Sequence, residues 1–188
     1  KYTTTFECPI SSCEISEASL ISEASLDNLA PLVPQDIDYK SNVDLLGVAF
    51  NAAVVNKFNR NGDGLDTATA KTYTPNFVHK PTNIEHDKEK VVGHIVDAGF
   101  SSFDSSELLT PEEVDKEKGP FNISLGAVIY KSVNKNFTNL VKKSLDPKDE
   151  AYQKVSASWE VGFSEYVLAV GSDYLKDAKI ISNPDKIE

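Results

Sequence analysis

The sequence predicts an α+β domain in which antiparallel strands dominate and one principal helix is present. Apolar runs are short and partly β-branched, as at residues 45–50 and 52–55, which favours buried strands. The Asn- and Gly-rich segment 59–64 is typical of a tight turn. Apolar residues recur at helical spacing most clearly at about 134–145.

The other predicted elements follow from the same patterns. Further strands are expected at 91–96, 123–130, 154–159 and 161–170. The principal helix should bury Phe137, Leu140, Val141 and Leu145. Residues 104–120 are rich in Ser, Glu, Asp and Lys, and they predict an exposed loop with at most one turn of helix.

The first 42 residues differ in composition from the rest of the chain. They are rich in Ser and Thr, and Pro9, Pro31 and Pro34 interrupt any long element, so residues 1–42 predict an extended N-terminal arm or propeptide-like segment. Residues 43–188 are expected to form the domain. Because the chain starts at Lys1, contains no Met and stops at Glu188, we expect a processed chain or a domain truncated at its C-terminus.

The arm contains a tandem repeat of six residues. The sequence Ile-Ser-Glu-Ala-Ser-Leu occupies positions 15–20 and again 21–26. This period matches neither coiled-coil heptads nor solenoid repeats. A short helix is one interpretation of the segment.

Composition excludes several classes of partner. The formal charge is −10, from 29 acidic and 19 basic residues, and such a field repels phosphate backbones and acidic lipid surfaces. Neither nucleic acid nor a membrane is therefore an expected partner. Cys8 and Cys13 have no His or further Cys nearby to complete a tetrahedral metal site, so no cofactor is expected, and two reduced thiols are favoured over a disulfide.

The loop 59–66 resembles the start of a calcium-binding loop. Asn59, Asn61, Asp63 and Asp66 supply oxygen atoms around Gly64, as calcium loops do. The twelfth position, where a bidentate carboxylate belongs, is Ala70. A glycine-rich turn is the favoured interpretation, and a calcium-binding module is kept as the third function.

The chain contains three histidines that could act as a general base near neutral pH, His79, His86 and His94. Serines are too numerous to single out by residue type. Neither a Gly-x-Ser-x-Gly elbow nor a Gly-Asp-Ser-Gly motif occurs. The residues alone therefore indicate a mainly β domain without a defined chemistry.

Several segments, taken in order, resemble the prohead (capsid-maturation) serine proteases of tailed phages, a family related to the herpesvirus assemblin fold. Residues 46–50 and the Val-Val-Asn of 54–56 resemble the first strands. Asn-Ile-Glu-His-Asp at 83–87, followed by Val-Val-Gly-His-Ile at 91–95, is similar to the Glu-His-Asp and Ile-Gly-Arg-Val pair of that family. Val-Ser-Ala-Ser-Trp at 155–159 resembles its serine strand.

The resemblance implies an antiparallel herpesvirus-protease-like barrel and a catalytic pair. His86 would be the general base and Ser156 the nucleophile. Ser158 is the alternative nucleophile, and His79 is the alternative base. The family also has a third residue on a later strand, which no residue after Ser164 matches; Glu160, Glu165 or Asp87 could take its place.

The resemblance also implies substrates and a location. The enzyme would process capsid and scaffold proteins inside a viral procapsid or virion, assembled in the host cytoplasm, and it could self-associate. Some family members cut after Glu in a hydrophobic-x-Glu motif, which makes Glu17 and Glu23 candidate self-cleavage sites. The runner-up function is a catalytically inactive structural protein with the protease fold.

Overall fold

The computed structural model of the chain describes residues 2–9, 28–152, 154–163 and 166–181. Three α-helices and nine strands occur within these ranges. The helices are α1 (Thr67–Tyr73), α2 (Pro111–Lys116) and α3 (Lys135–Leu145). The strands are β1 (Tyr2–Pro9), β2 (Leu45–Val55), β3 (Pro81–Asn83), β4 (Val91–Ser102), β5 (Leu108–Leu109), β6 (Phe121–Tyr130), β7 (Ser156–Phe163), β8 (Leu168–Val170) and β9 (Lys179–Ile181).

The strands form one main antiparallel sheet and two ribbons. The main sheet has the order β2-β6-β4-β3, and β5 pairs with the second half of β4. The ribbons are β1–β7 and β8–β9. The predicted fold class, mainly antiparallel β with few helices, is confirmed. The described strands do not close into the barrel that the resemblance implied, because they divide among three sheets.

Strand β2 is continuous through the region predicted as two short strands. It pairs with β6 from Leu45 to Val55, and the register shifts between Asn51 and Ala53. This shift is a β-bulge, in which an extra residue on one strand is left outside the ladder. Ala52 is that extra residue, and it is buried.

The first face of the main sheet carries the larger core. Strand β6 lies between β2 and β4 and is buried along nearly its whole length. Phe121, Ile123 and Leu125 alternate along this strand with residues of the opposite face, as the period of two requires. Val114 of α2 and Val141 of α3 complete the core from above the sheet.

The second face is covered by residues that the sequence assigned to the N-terminal arm. Leu29, Leu32 and Val33 are buried against Ala49. Within the segment 1–42, the described parts contact the rest of the chain: β1 pairs with β7, and residues 29–33 pack on the main sheet. The repeat at 15–26 lies outside the described residues.

The chain at 28–33 approaches the sheet closely because glycine lies beneath it. A Cβ atom on Gly126 would stand 1.8 Å from the carbonyl oxygen of Leu32. That distance is far below any van der Waals contact, so only glycine fits at this position of β6.

The helices begin at side-chain caps. Asn134 accepts a hydrogen bond from the Phe137 backbone N–H, and α3 then runs over the predicted range. The helix is rotated from the predicted orientation, since Val141 is buried whereas Leu140 is 44% exposed. No helix in the described ranges is long and apolar enough to cross a bilayer.

Residues 104–120 are better ordered than predicted. Thr110 and Glu113 form a reciprocal capping box, which satisfies backbone donors at the start of α2. The Thr110 hydrogen bonds lower the pKa of the Glu113 carboxyl. Val114 is fully buried, so the predicted exposed loop contributes a residue to the core. The sequence pattern did not predict the burial of Val114, because a single buried valine in a six-residue helix leaves no repeating pattern.

We predict that Gly126→Ala lowers the free energy of unfolding by roughly 1–3 kcal/mol, because the new methyl group overlaps a backbone carbonyl that cannot rotate away. Gly99→Ala is the matched control, since its Cβ would meet only the Leu32 Cδ2 atom at 3.5 Å. Urea unfolding of both variants measures the difference. Equal losses in the two variants would contradict the close approach.

Candidate functional site

Strand β7 presents its residues alternately to the core and to the solvent. Val155, Ala157, Trp159 and Val161 pack against the core of the first face. Ser156, Ser158 and Glu160 are exposed on the opposite side of the strand. The alternation follows from the period of two, so the strand places both candidate nucleophiles in one line.

Trp159 anchors this strand to the main sheet. Its indole N–H donates to the carbonyl oxygen of Ala52 at 3.1 Å, and its ring meets Phe77 edge to face with centroids 4.9 Å apart. The bulge leaves Ala52 outside the β2–β6 ladder. The indole nitrogen therefore bonds an acceptor at a point where the ladder is interrupted.

His86 lies in a tight turn between β3 and β4. The Asp87 N–H donates to the carbonyl oxygen of Ile84 at 3.0 Å, which closes a four-residue turn around Glu85 and His86. Both central residues have positive φ, 53° for Glu85 and 58° for His86, as in a type I′ turn. Such turns favour Asn and Gly, and a residue with a Cβ pays roughly 1–2 kcal/mol in this region.

Strain at a turn between two strands is compatible with a functional role, because strained residues concentrate at active sites. Further hydrogen bonds hold the turn. The Ile84 N–H donates to the carbonyl oxygen of Lys90 at 3.2 Å, and the Lys90 N–H donates to that of Asp87 at 3.0 Å. The position of His86 is therefore set by backbone geometry.

Asp87 belongs to the same turn and stabilises it. Its carboxylate contacts the Lys90 ammonium at 2.9 Å and accepts the Glu89 N–H at 3.0 Å. The Lys90 hydrogen bond, followed by that from Glu89, lowers the pKa of the Asp87 carboxyl. The carboxylate is thus used by the turn, and these contacts give it no role in orienting the His86 ring.

The turn and the strand meet at one hydrogen bond. His86 Nε2 lies 3.0 Å from Ser158 Oγ, and both side chains are exposed. When Nε2 is the acceptor, the neutral ring carries its proton on Nδ1. The serine hydroxyl then points its proton at a base, which is the arrangement that activates a serine nucleophile.

Ser156, the other candidate nucleophile, does not make this hydrogen bond. Ser156 shares the exposed face of β7, two residues before Ser158, but the hydroxyl that makes the hydrogen bond with His86 is that of Ser158. In the β1–β7 register, Ser156 stands opposite Pro9 and Ser158 opposite Glu7. Ser156, the nucleophile first predicted, and Ser158, the predicted alternative, therefore lie close together on β7. Of the two, Ser158 contacts His86.

His79 and His94 occupy other surroundings. His79 has φ of 67° and donates its backbone N–H to the carbonyl oxygen of Ile95 at 2.8 Å, while its side chain is exposed. His94 is half-buried, and its Nδ1 lies 2.7 Å from the Tyr130 hydroxyl. Among the described residues, hydrogen bonds join neither ring to Ser156 or Ser158.

Three predicted positions cannot be placed. Glu17 and Glu23, the candidate self-cleavage sites, and Glu165, a candidate third residue, lie outside the described residues.

The histidine–serine pair lies in a large cleft. The cleft has a volume of about 2020 Å³, and its lining includes His86, Ser156, Ser158 and Glu160. Sites for small ligands are usually about 300–1,000 Å³, so this cleft has room for a segment of polypeptide. The first face of the main sheet forms part of its wall through Phe50 and Ile129.

The calcium-like loop is organised by its own hydrogen bonds. Asn59 Oδ1 accepts the backbone N–H groups of Asn61 and Asp63, each at 2.9 Å. Asp66 accepts the Thr69 N–H at 2.7 Å and caps α1. Two of the oxygen donors thus serve a turn and a helix cap. Within the described ranges, no cluster of three or more His, Cys, Asp and Glu residues is arranged to hold a metal ion.

Comparison with known proteins identifies no relative: no protein-family model, no curated protein and no solved structure matches this chain.

We predict that Glu85→Gly raises the free energy of unfolding by roughly 0.5–1 kcal/mol, because relief of the positive φ outweighs the added entropy of the unfolded chain. Lys88→Gly, at a position of the same loop without positive φ, should lower it by roughly 0.4–1 kcal/mol. Thermal unfolding of the two variants tests this. A loss of stability in Glu85→Gly would show that the turn is not strained at this residue.

Proposed function

We propose that this protein is a serine endopeptidase of the phage capsid-maturation type, with His86 as general base and Ser158 as nucleophile. The observation that carries the proposal is the 3.0 Å contact between His86 Nε2 and Ser158 Oγ. These residues lie within the two segments, 83–87 and 155–159, that resemble the histidine and serine motifs of that family. The assemblin-like fold is part of the same proposal.

The chemistry follows from the pair. His86 Nε2 takes the Ser158 proton as Oγ attacks the carbonyl carbon of a substrate peptide bond, giving a tetrahedral oxyanion. The oxyanion collapses, the C–N bond breaks, and the imidazolium donates the proton to the departing amine. Water, deprotonated by His86, then attacks the acyl-serine ester. Release of the carboxylate product returns the proton to Ser158.

Ser156 remains the alternative nucleophile because it lies on the same exposed face of β7. Two positions along a strand correspond to about 6.6 Å. A change in the side-chain torsions of His86 would therefore be needed to transfer the hydrogen bond from one serine to the other. The geometry favours Ser158, whereas the motif resemblance alone favours Ser156.

The resemblance supplies the substrates in this proposal. They are capsid and scaffold proteins, processed within a viral procapsid, together with the N-terminal arm of the protease itself. The size of the cleft supports a polypeptide substrate. The register of β1 supports processing of the arm, since Pro9, the last residue of β1, pairs with Ser156 and β1 therefore ends beside the site.

An inactive structural protein with the same fold is the second candidate function. The observation in its favour is Asp87, whose carboxylate contacts Lys90 and Glu89 instead of the His86 ring. Reactivity of the serine separates the two candidates.

We predict that a fluorophosphonate probe labels the wild-type protein and that Ser158→Ala or His86→Asn reduces labelling by at least about 100-fold, since each removes half of the nucleophile–base pair. Ser156→Ala is the matched control and should retain most of the labelling. Labelling is followed by intact mass. Loss of labelling in Ser156→Ala alone would move the nucleophile to Ser156, and an unreactive wild type would favour the inactive protein.

We also predict self-processing of the arm. Purified wild-type protein, incubated at a concentration where it remains folded, should release fragments that end at Glu17 or Glu23, and Ser158→Ala should release neither. Glu17→Gln and Glu23→Gln should each remove one fragment only. Mass spectrometry of the fragments checks this, and the same fragments from Ser158→Ala would assign the cleavage to another protease.

A further inference from the structure

A histidine that serves as a base in this way needs a group that orients its ring. In serine hydrolases a carboxylate beside Nδ1 fixes the tautomer and stabilises the imidazolium that forms. In this chain the contact from Nε2 to Ser158 leaves Nδ1 as the position for such a carboxylate. The inference below rests on the proposed function, and it concerns which residue supplies that group.

Local contacts argue against Asp87, the carboxylate next to His86 in the chain. Asp87 is held by the Lys90 ammonium and the Glu89 N–H, and both contacts favour its present position in the turn. Glu85 precedes His86 within the same strained turn, and a substitution there changes the backbone as well as the charge. The orienting group is therefore sought on another element, where a substitution changes the charge and leaves this turn intact.

Strand β7 carries a carboxylate on the face that His86 meets. Glu160 lies two residues after Ser158, is exposed on the same side of the strand, and lines the same cleft as His86. Residues two apart on a strand are separated by about 6.6 Å. An imidazole with a hydrogen bond of about 2.9 Å on each side joins two oxygen atoms roughly 7–8 Å apart, and the glutamate side chain is long enough to place its carboxylate at that distance from Ser158 Oγ.

Glu7, across the ribbon, is the acidic residue to compare with Glu160. Glu7 stands directly opposite Ser158 in the β1–β7 register. Glu160 lies on the strand that carries both candidate serines, whereas Glu7 lies on the partner strand, so substitution of each residue in turn separates the two carboxylates.

We propose that Glu160 is the positioning residue of the site and accepts the Nδ1–H of His86 when the cleft is occupied. Catalytic hydrogen bonds are often long in a free enzyme and shorten in the complex with substrate. The pattern Ser-x-Glu at 158–160 then places nucleophile and positioning carboxylate on one strand, with the base supplied by the turn between β3 and β4.

The first test measures rates. Glu160→Ala should reduce the rate of labelling by a peptidyl fluorophosphonate by at least about 100-fold, because the ring loses the group that orients it. Glu7→Ala is the matched control, an acidic residue removed from the position opposite Ser158, and it should label at the wild-type rate. Glu160→Asp should recover part of the loss. Melting temperatures verify that each variant is folded.

The second test does not depend on activity. The ¹⁵N chemical shifts of the His86 ring, recorded where the ring is neutral and with the phosphonyl adduct in place, report which nitrogen carries the proton. The wild type should show mainly the Nδ1–H form, and Glu160→Ala should show a larger share of Nε2–H. The adduct can be prepared only if the protein reacts, so the ¹⁵N spectra of the free wild type and the free Glu160→Ala variant are recorded as well. In the free protein we expect the same shift toward Nε2–H in the variant, but a smaller one.

The outcomes are distinct. If Glu160→Ala labels at the wild-type rate and keeps the wild-type ring tautomer, the role of Glu160 is overturned. If Glu7→Ala is instead the variant that loses labelling, the role passes to Glu7. A wild-type protein that does not react would count against the proposed protease, and the tautomer of the free protein would then still support or overturn the pairing of Glu160 with His86.

Discussion

The hydrogen bond from the Trp159 indole to the carbonyl oxygen of Ala52 is the contact on which the site depends. It decides which face of β7 is turned toward the core, because Trp159 cannot bond Ala52 unless the odd-numbered residues of the strand face the sheet. The even-numbered residues, Ser156 and Ser158 among them, are then exposed on the other side of the strand. A one-residue slip would bury the serines and expose the tryptophan.

The bulge in β2 connects this contact to the rest of the core. On one side it leaves Ala52 outside the ladder, where its carbonyl accepts the indole N–H. On the other side Asn51 accepts hydrogen bonds from Ser124 and Ser101 and donates one to Ser106. Both faces of the sheet are thus organised around two consecutive residues.

His86 is held by a different kind of constraint. His86 is placed by a turn with two residues of positive φ, closed by backbone hydrogen bonds and by the Asp87–Lys90 ion pair. Ser158 is placed by the packing of β7 along the core. The two side chains are therefore brought together by two elements that are far apart in sequence.

The parts of this arrangement that depend on local pattern were predictable from the sequence. Helix α3 followed from apolar spacing, and the placement of Ser156 and Ser158 on one face follows from alternation along β7. The choice between those serines was not predictable, because it depends on a contact between residues 72 positions apart. The burial of Leu29, Leu32 and Val33 was also missed, since their proline-rich surroundings resemble an extended arm and the glycine beneath them is distant in sequence. Motif order, by contrast, indicated the histidine that the structure pairs with a serine.

The site of covalent attachment tests the central claim most directly. A crystal structure of the protein after reaction with a peptidyl chloromethyl ketone should show the inhibitor bonded to both Ser158 Oγ and His86 Nε2, with its peptide lying in the cleft. Attachment to Ser156, or to a histidine other than His86, would contradict the account, since Ser158 would then be a neighbour of the reaction and not its nucleophile.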